Sequence, residues 1–363
     1  MKSTLKYFNG SLLFTFFALA AASVIGFYYS QSIDGAIKAL FLASVLAILE
    51  VSLSFDNAIV NATVLRDMSP LWQKRFLTWG MLIAVFGMRI VFPLVIVSVA
   101  GSINPYEALK LAIFSPDSYS QLMLTAHIPV VAFGGSFLFM VGLKYFFDKT
   151  KTVHWIQAIE VPLTRLGKME AIEAAVVLFL IYYFSKNVPP ENQIQFVLSG
   201  IMGLVTFILV DGIEAFIGHS DENENEAEDQ HKITNSQTIK ATANTVVKSG
   251  LSSFLYLEVL DASFSFDGVV GAFAISNNLF IIAFGLAIGA MFVRSMTIYL
   301  VEKNTLSEFK YIEHGAFYAI LTLALIMFLE SYLHISEWIT GLIGATLIII
   351  SFASSIKAQK SSL

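Results

Sequence analysis

The chain of 363 residues contains no cysteine, which excludes disulfides, thiolate metal sites and cysteine nucleophiles. Charge is scarce too, at 13% of residues against 56% hydrophobic ones, with 32 phenylalanines among them. At a mean hydropathy of +0.72 there is more apolar surface than a soluble fold can bury, so lipid must serve as solvent. Enzyme signatures are missing as well: no HExxH, no GxSxG and no Walker loop occurs, and nothing marks an organic cofactor or a nucleic-acid partner.

What is present is a series of apolar runs, such as 12–28, 76–100, 280–301 and 338–353, several near the roughly 20 residues that cross a hydrocarbon core. Lipid cannot satisfy open backbone groups, so these runs are expected to be helices. The expectation is an all-α, polytopic membrane protein of about ten spans, at 11–29, 37–65, 76–100, 127–147, 169–185, 195–217, 249–276, 279–301, 312–330 and 336–356. The second is long enough to be tilted or broken. Lys2 and Lys6 before the first run resemble a signal peptide with a cleavage site at Ala18–Ala22, but the apolar stretch continues past those alanines, which favours an uncleaved anchor over residues 1–36.

Lysine and arginine divide unevenly between the two sides of these spans. Sixteen fall on the side of both termini, three opposite (Lys38, Lys110, Lys186) and three inside spans (Arg89, Lys144, Arg294). The positive-inside rule then makes both termini cytoplasmic, in a multi-pass protein of the inner (plasma) membrane. On the same side lies a run of six acids, Asp221, Glu222, Glu224, Glu226, Glu228 and Asp229. Residues 218–240 read as a flexible acidic linker that could also meet a protein partner. It separates a first transmembrane half, 37–217, from a second, 241–363.

The halves resemble each other. Glu50-Val-Ser-Leu-Ser-Phe-Asp-Asn57 recurs as Asp261-Ala-Ser-Phe-Ser-Phe-Asp-Gly268, and Gly80 precedes Arg89 by nine residues as Gly285 precedes Arg294. Five spans separate the two motif helices, so the halves are expected to be inverted-topology repeats, an architecture that holds its substrate near the midplane at the repeat interface.

A carboxylate inside a bilayer costs at least about 2.5 kcal/mol, yet the motif helices carry Glu50, Asp56, Glu258, Asp261 and Asp267. Structural pairing with Arg89 and Arg294 answers part of that cost and leaves three negative charges. A divalent cation fits the surplus. Asn57 and the hydroxyls of Ser52, Ser54, Ser263 and Ser265 complete an oxygen-rich set suited to Mn2+, Mg2+ or Ca2+. On a straight helix Glu50 and Asp56 stand about 120° and about 9 Å apart. Glu50, Ser54, Asn57 and Asn61 then form one stripe, Ser52 and Asp56 another. In the second half Glu258, Asp261 and Ser265 oppose Ser263 and Asp267. Either the helices unwind near Asp56 and Asp267, or the two stripes serve different neighbours. An intramembrane aspartic protease built on Asp56 and Asp267 is the weaker reading of the same acids.

With LEVSLSFDNA in the first half, the order Glu258, Asp261, Asp267 in the second, and YIEHGAFYAI at 311–320, the chain resembles the TerC family of integral membrane proteins, within the wider LysE-type exporter superfamily. Gly268, where that family commonly has serine, and the long acidic insert mark a divergent TerC-like member. The resemblance implies a divalent metal exporter, with Mn2+ the usual cargo and a family name taken from tellurite resistance. It implies as ligands Glu50, Asp56, Asn57, Glu258, Asp261 and Asp267, supported by Ser54, Ser265, Arg89 and Arg294. The alternative is a membrane scaffold or metal-delivery partner without transport of its own.

Overall fold

The computed structural model describes residues 2–169, 171–229, 250–303, 308–333, 335 and 337–361. Among them there is no strand, and eight helices are long and apolar enough to cross a membrane. The protein is an all-helical, multi-pass membrane protein. The eight are α1 (Lys2–Ser30), α2 (Ile33–Leu53), α4 (Pro70–Ala100), α7 (His127–Phe147), α10 (Gln193–Asp229), α12 (Leu279–Glu302), α13 (Ile312–Glu330) and α14 (Glu337–Ser361). Their partners are α3 (Phe55–Arg66), the short helices α5 (Pro105–Phe114), α6 (Pro116–Thr125) and α8 (Gln157–Leu166), α9 (Ile172–Ser185) and α11 (Gly250–Ile275). Of the ten expected spans, the other two correspond to α9, which has only 14 residues, and to the acid-bearing α11, which has 26.

Surface and core follow the logic of a lipid solvent. Phe16, Phe17, Val24, Tyr28 and Ile37 are more than half exposed along α1 and α2, where no soluble protein would leave such a band. The interior is aromatic: Phe328 of α13 meets Phe139, Phe184 and Phe196 at ring separations of 5.2, 5.4 and 5.4 Å, which ties α7, α9 and α10 to α13. Helix starts are capped where the chain turns. Ser32 accepts from Gly35 N, Asn104 and Glu107 form a capping box, and Asn278 accepts from Phe280 N and Ile281 N, satisfying amides that lipid could not.

The expected long second span is broken. α2 ends at Leu53, Ser54 adopts φ −102° and ψ 18°, and α3 begins at Phe55. Ser54 N still donates to Glu50 O, and the regular pattern resumes with Ala58 N donating to Ser54 O. In α11 the backbone stays helical from Gly250 to Ile275, through Asp267, so of the two positions at which unwinding was one alternative only the first is interrupted. One physical reason is local: Asp56 Oδ1 takes the N–H of Asn57 at 2.9 Å, a side-chain bond that competes with the helix. The third span is also irregular. α4 contains two π-helical stretches, Phe76–Gly80 and Ile83–Val91, and such widened turns concentrate at functional sites.

The acidic stretch divides. α10 carries helical backbone to Asp229, into the segment read as a linker, and 230–240 lies outside the described residues.

Candidate cation site between the motif helices

The two stripes of the first motif helix face different cavities. Glu50, Ser54, Asn57 and Asn61 line a cavity of about 40 Å³ shared with Glu258 and Asp261 of α11, Arg89 of α4 and Arg294 of α12. Ser52 and Asp56 line a second cavity of about 30 Å³, closed by α13 and α14. Glu50 borders both.

In the first cavity, Arg89 ion-pairs with Glu50 and lies 3.9 Å from Asp261 through Nη1. Asn57 Nδ2 donates to Asp261 Oδ1 at 2.8 Å, so the motif helices touch directly, and Arg89 stands between Glu50 and Asp261, the two residues that the internal alignment makes equivalent. Arg89 is held by its own helix, Nη1 donating to Ala84 O at 2.9 Å within the π-helical stretch. The hydrogen bonding then stops short. Asn57 Oδ1, Asn61 Oδ1, Glu258 Oε1 and Asp261 Oδ2 are buried with no hydrogen-bond partner among the described residues. Buried oxygens are rarely left so, and here four line one space.

Glycine shapes that space by close approach. A Cβ on Gly80 would sit 2.5 Å from Glu258 Oε1, so the missing side chain lets α4 lie against the carboxylate. A Cβ on Gly289 would meet Cβ and Cγ of Glu50, so α12 lies against that glutamate. The pattern is reciprocal. Gly80 of the first half receives the second motif helix, and Gly285 of the second half packs on Ala43 and Leu46 of the first.

Four of the six expected ligands, Glu50, Asn57, Glu258 and Asp261, therefore line one cavity, together with Ser54, Arg89 and Arg294. Asp56 does not join them: it faces the second cavity, with Oδ2 4.0 Å from the Cβ position of Gly344. The Asp267 side chain lies outside what is described. Ser265 and Ser263 are buried on α11, and Ser263 donates to Val259 O at 2.9 Å. Among the described residues no three His, Asp or Glu side chains cluster tightly enough to hold a metal alone. The oxygen set here depends on amides and hydroxyls as well. Asn61 was legible as the last member of the Glu50 stripe.

A second buried charge cluster carried no motif. Glu160 of α8 is fully buried, its Oε1 accepting from Trp155 N, Ile156 N and Tyr318 OH at 3.2, 3.1 and 3.3 Å. Lys151 Nζ lies 2.9 Å from Oε2, with His154 and His314 at 3.6 and 3.4 Å. Burial opposes the Glu160 charge, but the Ile156 N–H and the Lys151 ammonium outweigh it and hold the carboxyl below the usual glutamate range. His314 is buried and bonded to Val153 O at 2.9 Å. It ties the loop after α7 to the start of α13. Lys144, counted inside a span by sequence, sits at an exposed position, paired with Asp211.

The family described as "Protein of unknown function (DUF475)" matches residues 55–362, most of the chain, and the chain belongs to it. Neither the curated proteins nor the solved structures offer a match.

Proposed function

We propose that this DUF475 protein exports a divalent hard cation, Mn2+ above Ca2+ or Mg2+, through the cavity lined by Glu50, Asn57, Glu258 and Asp261. The observation that carries the reading is the convergence of four unpartnered buried oxygens on one cavity, beside three carboxylates and two arginines. With all five ionised the set is left with one negative charge, and its free acceptors can be satisfied by a cation and its waters. A cavity of about 40 Å³ holds an ion with a water or two, since one water needs roughly 10–15 Å³ of such space. Oxygen donors of this kind suit hard divalent ions.

The architecture we infer has ten spans, counting α9 and α11, in two inverted repeats with both termini cytoplasmic, as in a TerC-like member of the LysE-type superfamily. Reciprocal packing supports it: α4 of the first half lies against Glu258 and α12 of the second against Glu50. Alternating access then moves the halves about the cavity, with the cation entering from the cytoplasm and leaving outward. The break at Ser54 supplies a joint at the site itself, as interrupted helices do in transporters.

The test is cellular metal content under manganese, calcium and magnesium load, with and without the protein. Loss of the protein should raise retained Mn2+, and a Glu258→Gln copy should fail to lower it. Unchanged content of all three ions would leave the scaffold as the better account.

A further inference from the structure

The second cavity points to a site of a different kind. We propose that the space around Asp56 binds a small monovalent cation, of the Na+ class, at a position separate from the divalent cavity.

Three features converge there. The first is the helix break: α2 ends at Leu53, and the last carbonyls of a helix lack intrahelical partners and carry its partial negative charge. Ser52, Leu53 and Ser54 all line the cavity. The second is the donor set. Thr340 Oγ1 is buried with no hydrogen-bond partner among the described residues, on a residue only 7% exposed. Ser52 and Thr322 commit their hydroxyl protons to Ile48 O and Tyr318 O, both at 2.8 Å, so what remains to face the cavity is lone pairs. A space lined by acceptors attracts a cation.

The third feature is charge. Among the described residues no basic side chain lines the cavity. Glu50 borders it, but its charge is met by Arg89. Asp56, 5% exposed, is then the one described carboxylate there whose charge is unanswered. One negative charge with neutral hydroxyls matches one positive charge. A divalent ion would find one unpaired carboxylate here, Asp56, whereas the first cavity adds Glu258 and Asp261 to Glu50. A cavity of about 30 Å³ has room for an ion with a water or two, and so small a space favours Na+ over the larger K+.

Glu50 and Ser54 line both cavities. Filling one therefore acts on groups that shape the other, and monovalent entry could drive divalent exit. That coupling role rests on the transport reading. The binding itself does not.

The experiment uses the purified full-length protein in detergent, melted in NaCl, KCl or N-methylglucamine chloride at equal ionic strength with divalent ions chelated. Na+ should raise the melting temperature saturably by a few degrees, and K+ by less. Asp56→Asn should abolish the rise. The near-isosteric Thr340→Val, which spares the charge, should move half-saturation to about tenfold higher Na+, the loss of one ligand. Glu258→Gln should keep the Na+ response while losing a separate response to Mn2+.

No Na+-specific rise in wild type means the cavity holds water only and overturns the proposal. So does a rise that survives unaltered in Thr340→Val, or one that disappears in Glu258→Gln together with the Mn2+ response. If Na+ behaves as expected and Mn2+ has no effect on wild type, the divalent reading falls and this site stands.

Discussion

Gly80→Ala separates a cation site from a merely packed interface. The added methyl would stand 2.5 Å from Glu258 Oε1 and 3.0 Å from Phe76 Cδ2, whereas ordinary contact begins at 3.4 Å. Glu258 is the flexible partner, so its carboxylate must move by about 0.9 Å. Cation–oxygen distances tolerate only about 0.2 Å, so the displaced oxygen is lost as a ligand. A hydrogen bond or contact to a charged group is worth roughly 1.5–3 kcal/mol, which corresponds to about a 10- to 100-fold weaker Mn2+ affinity. Stability should change little, because alanine recovers up to about 1 kcal/mol of helix propensity over glycine. Calorimetric Mn2+ titration of the detergent-solubilised protein, paired with a thermal melt, reads both quantities. Gly285→Ala is the control: its methyl would meet Leu46 Cβ at 2.6 Å and the Ala43 carbonyl at 3.0 Å, atoms on a helix that cannot swing aside, so it should lower stability first. Wild-type Mn2+ affinity in a stable Gly80→Ala protein would refute the placement of Glu258 at the ion.

Other consequences follow from the same geometry. Arg89→Met leaves the buried Glu50 carboxylate without its partner and should cost about 3–5 kcal/mol, seen as a large fall in melting temperature that Glu50→Gln in the same chain mostly reverses. Glu160→Gln should destabilise the protein at neutral pH by about 3 kcal/mol, since Lys151, with its side chain 8% exposed, loses its counter-charge. Because the folded Glu160 carboxyl lies below the ordinary glutamate range, its contribution is present above the unfolded value of about 4.3 and is lost as pH falls through the folded one. The gap between wild-type and Glu160→Gln melting temperatures should therefore narrow in acid. Deleting 221–230 should leave Mn2+ export unchanged, measured as cellular metal content; loss of export there with Asp261→Asn still active would favour a scaffold.

Much of the site was legible because helical periodicity is strict. A spacing of i, i+4, i+7 and i+11 put Glu50, Ser54, Asn57 and Asn61 on one stripe, and all four line one cavity. The same arithmetic set Asp56 apart. What it could not decide was whether the backbone would break to reunite them. The break came, at Ser54, yet Asp56 stayed with the second cavity. The π-helical turns of α4 were invisible to the pattern, since a widened turn depends on what packs beside it, here Arg89 against Glu50 and Gly80 against Glu258. The Glu160 cluster was missed for another reason. Lys151, His154 and Glu160 lie in a connecting loop and the short helix after it, with no apolar periodicity, and only the fold brings His314 to them.

The central claim is that carboxylates from both motif helices hold a divalent cation in transit. It is tested most directly by Mn2+ flux into proteoliposomes containing the purified protein, as wild type, Glu258→Gln and Asp261→Asn. The account predicts saturable Mn2+ flux for wild type and loss of at least about tenfold in each variant, at unchanged protein insertion. Flux in the variants equal to wild type, or none above protein-free vesicles in wild type, would contradict it.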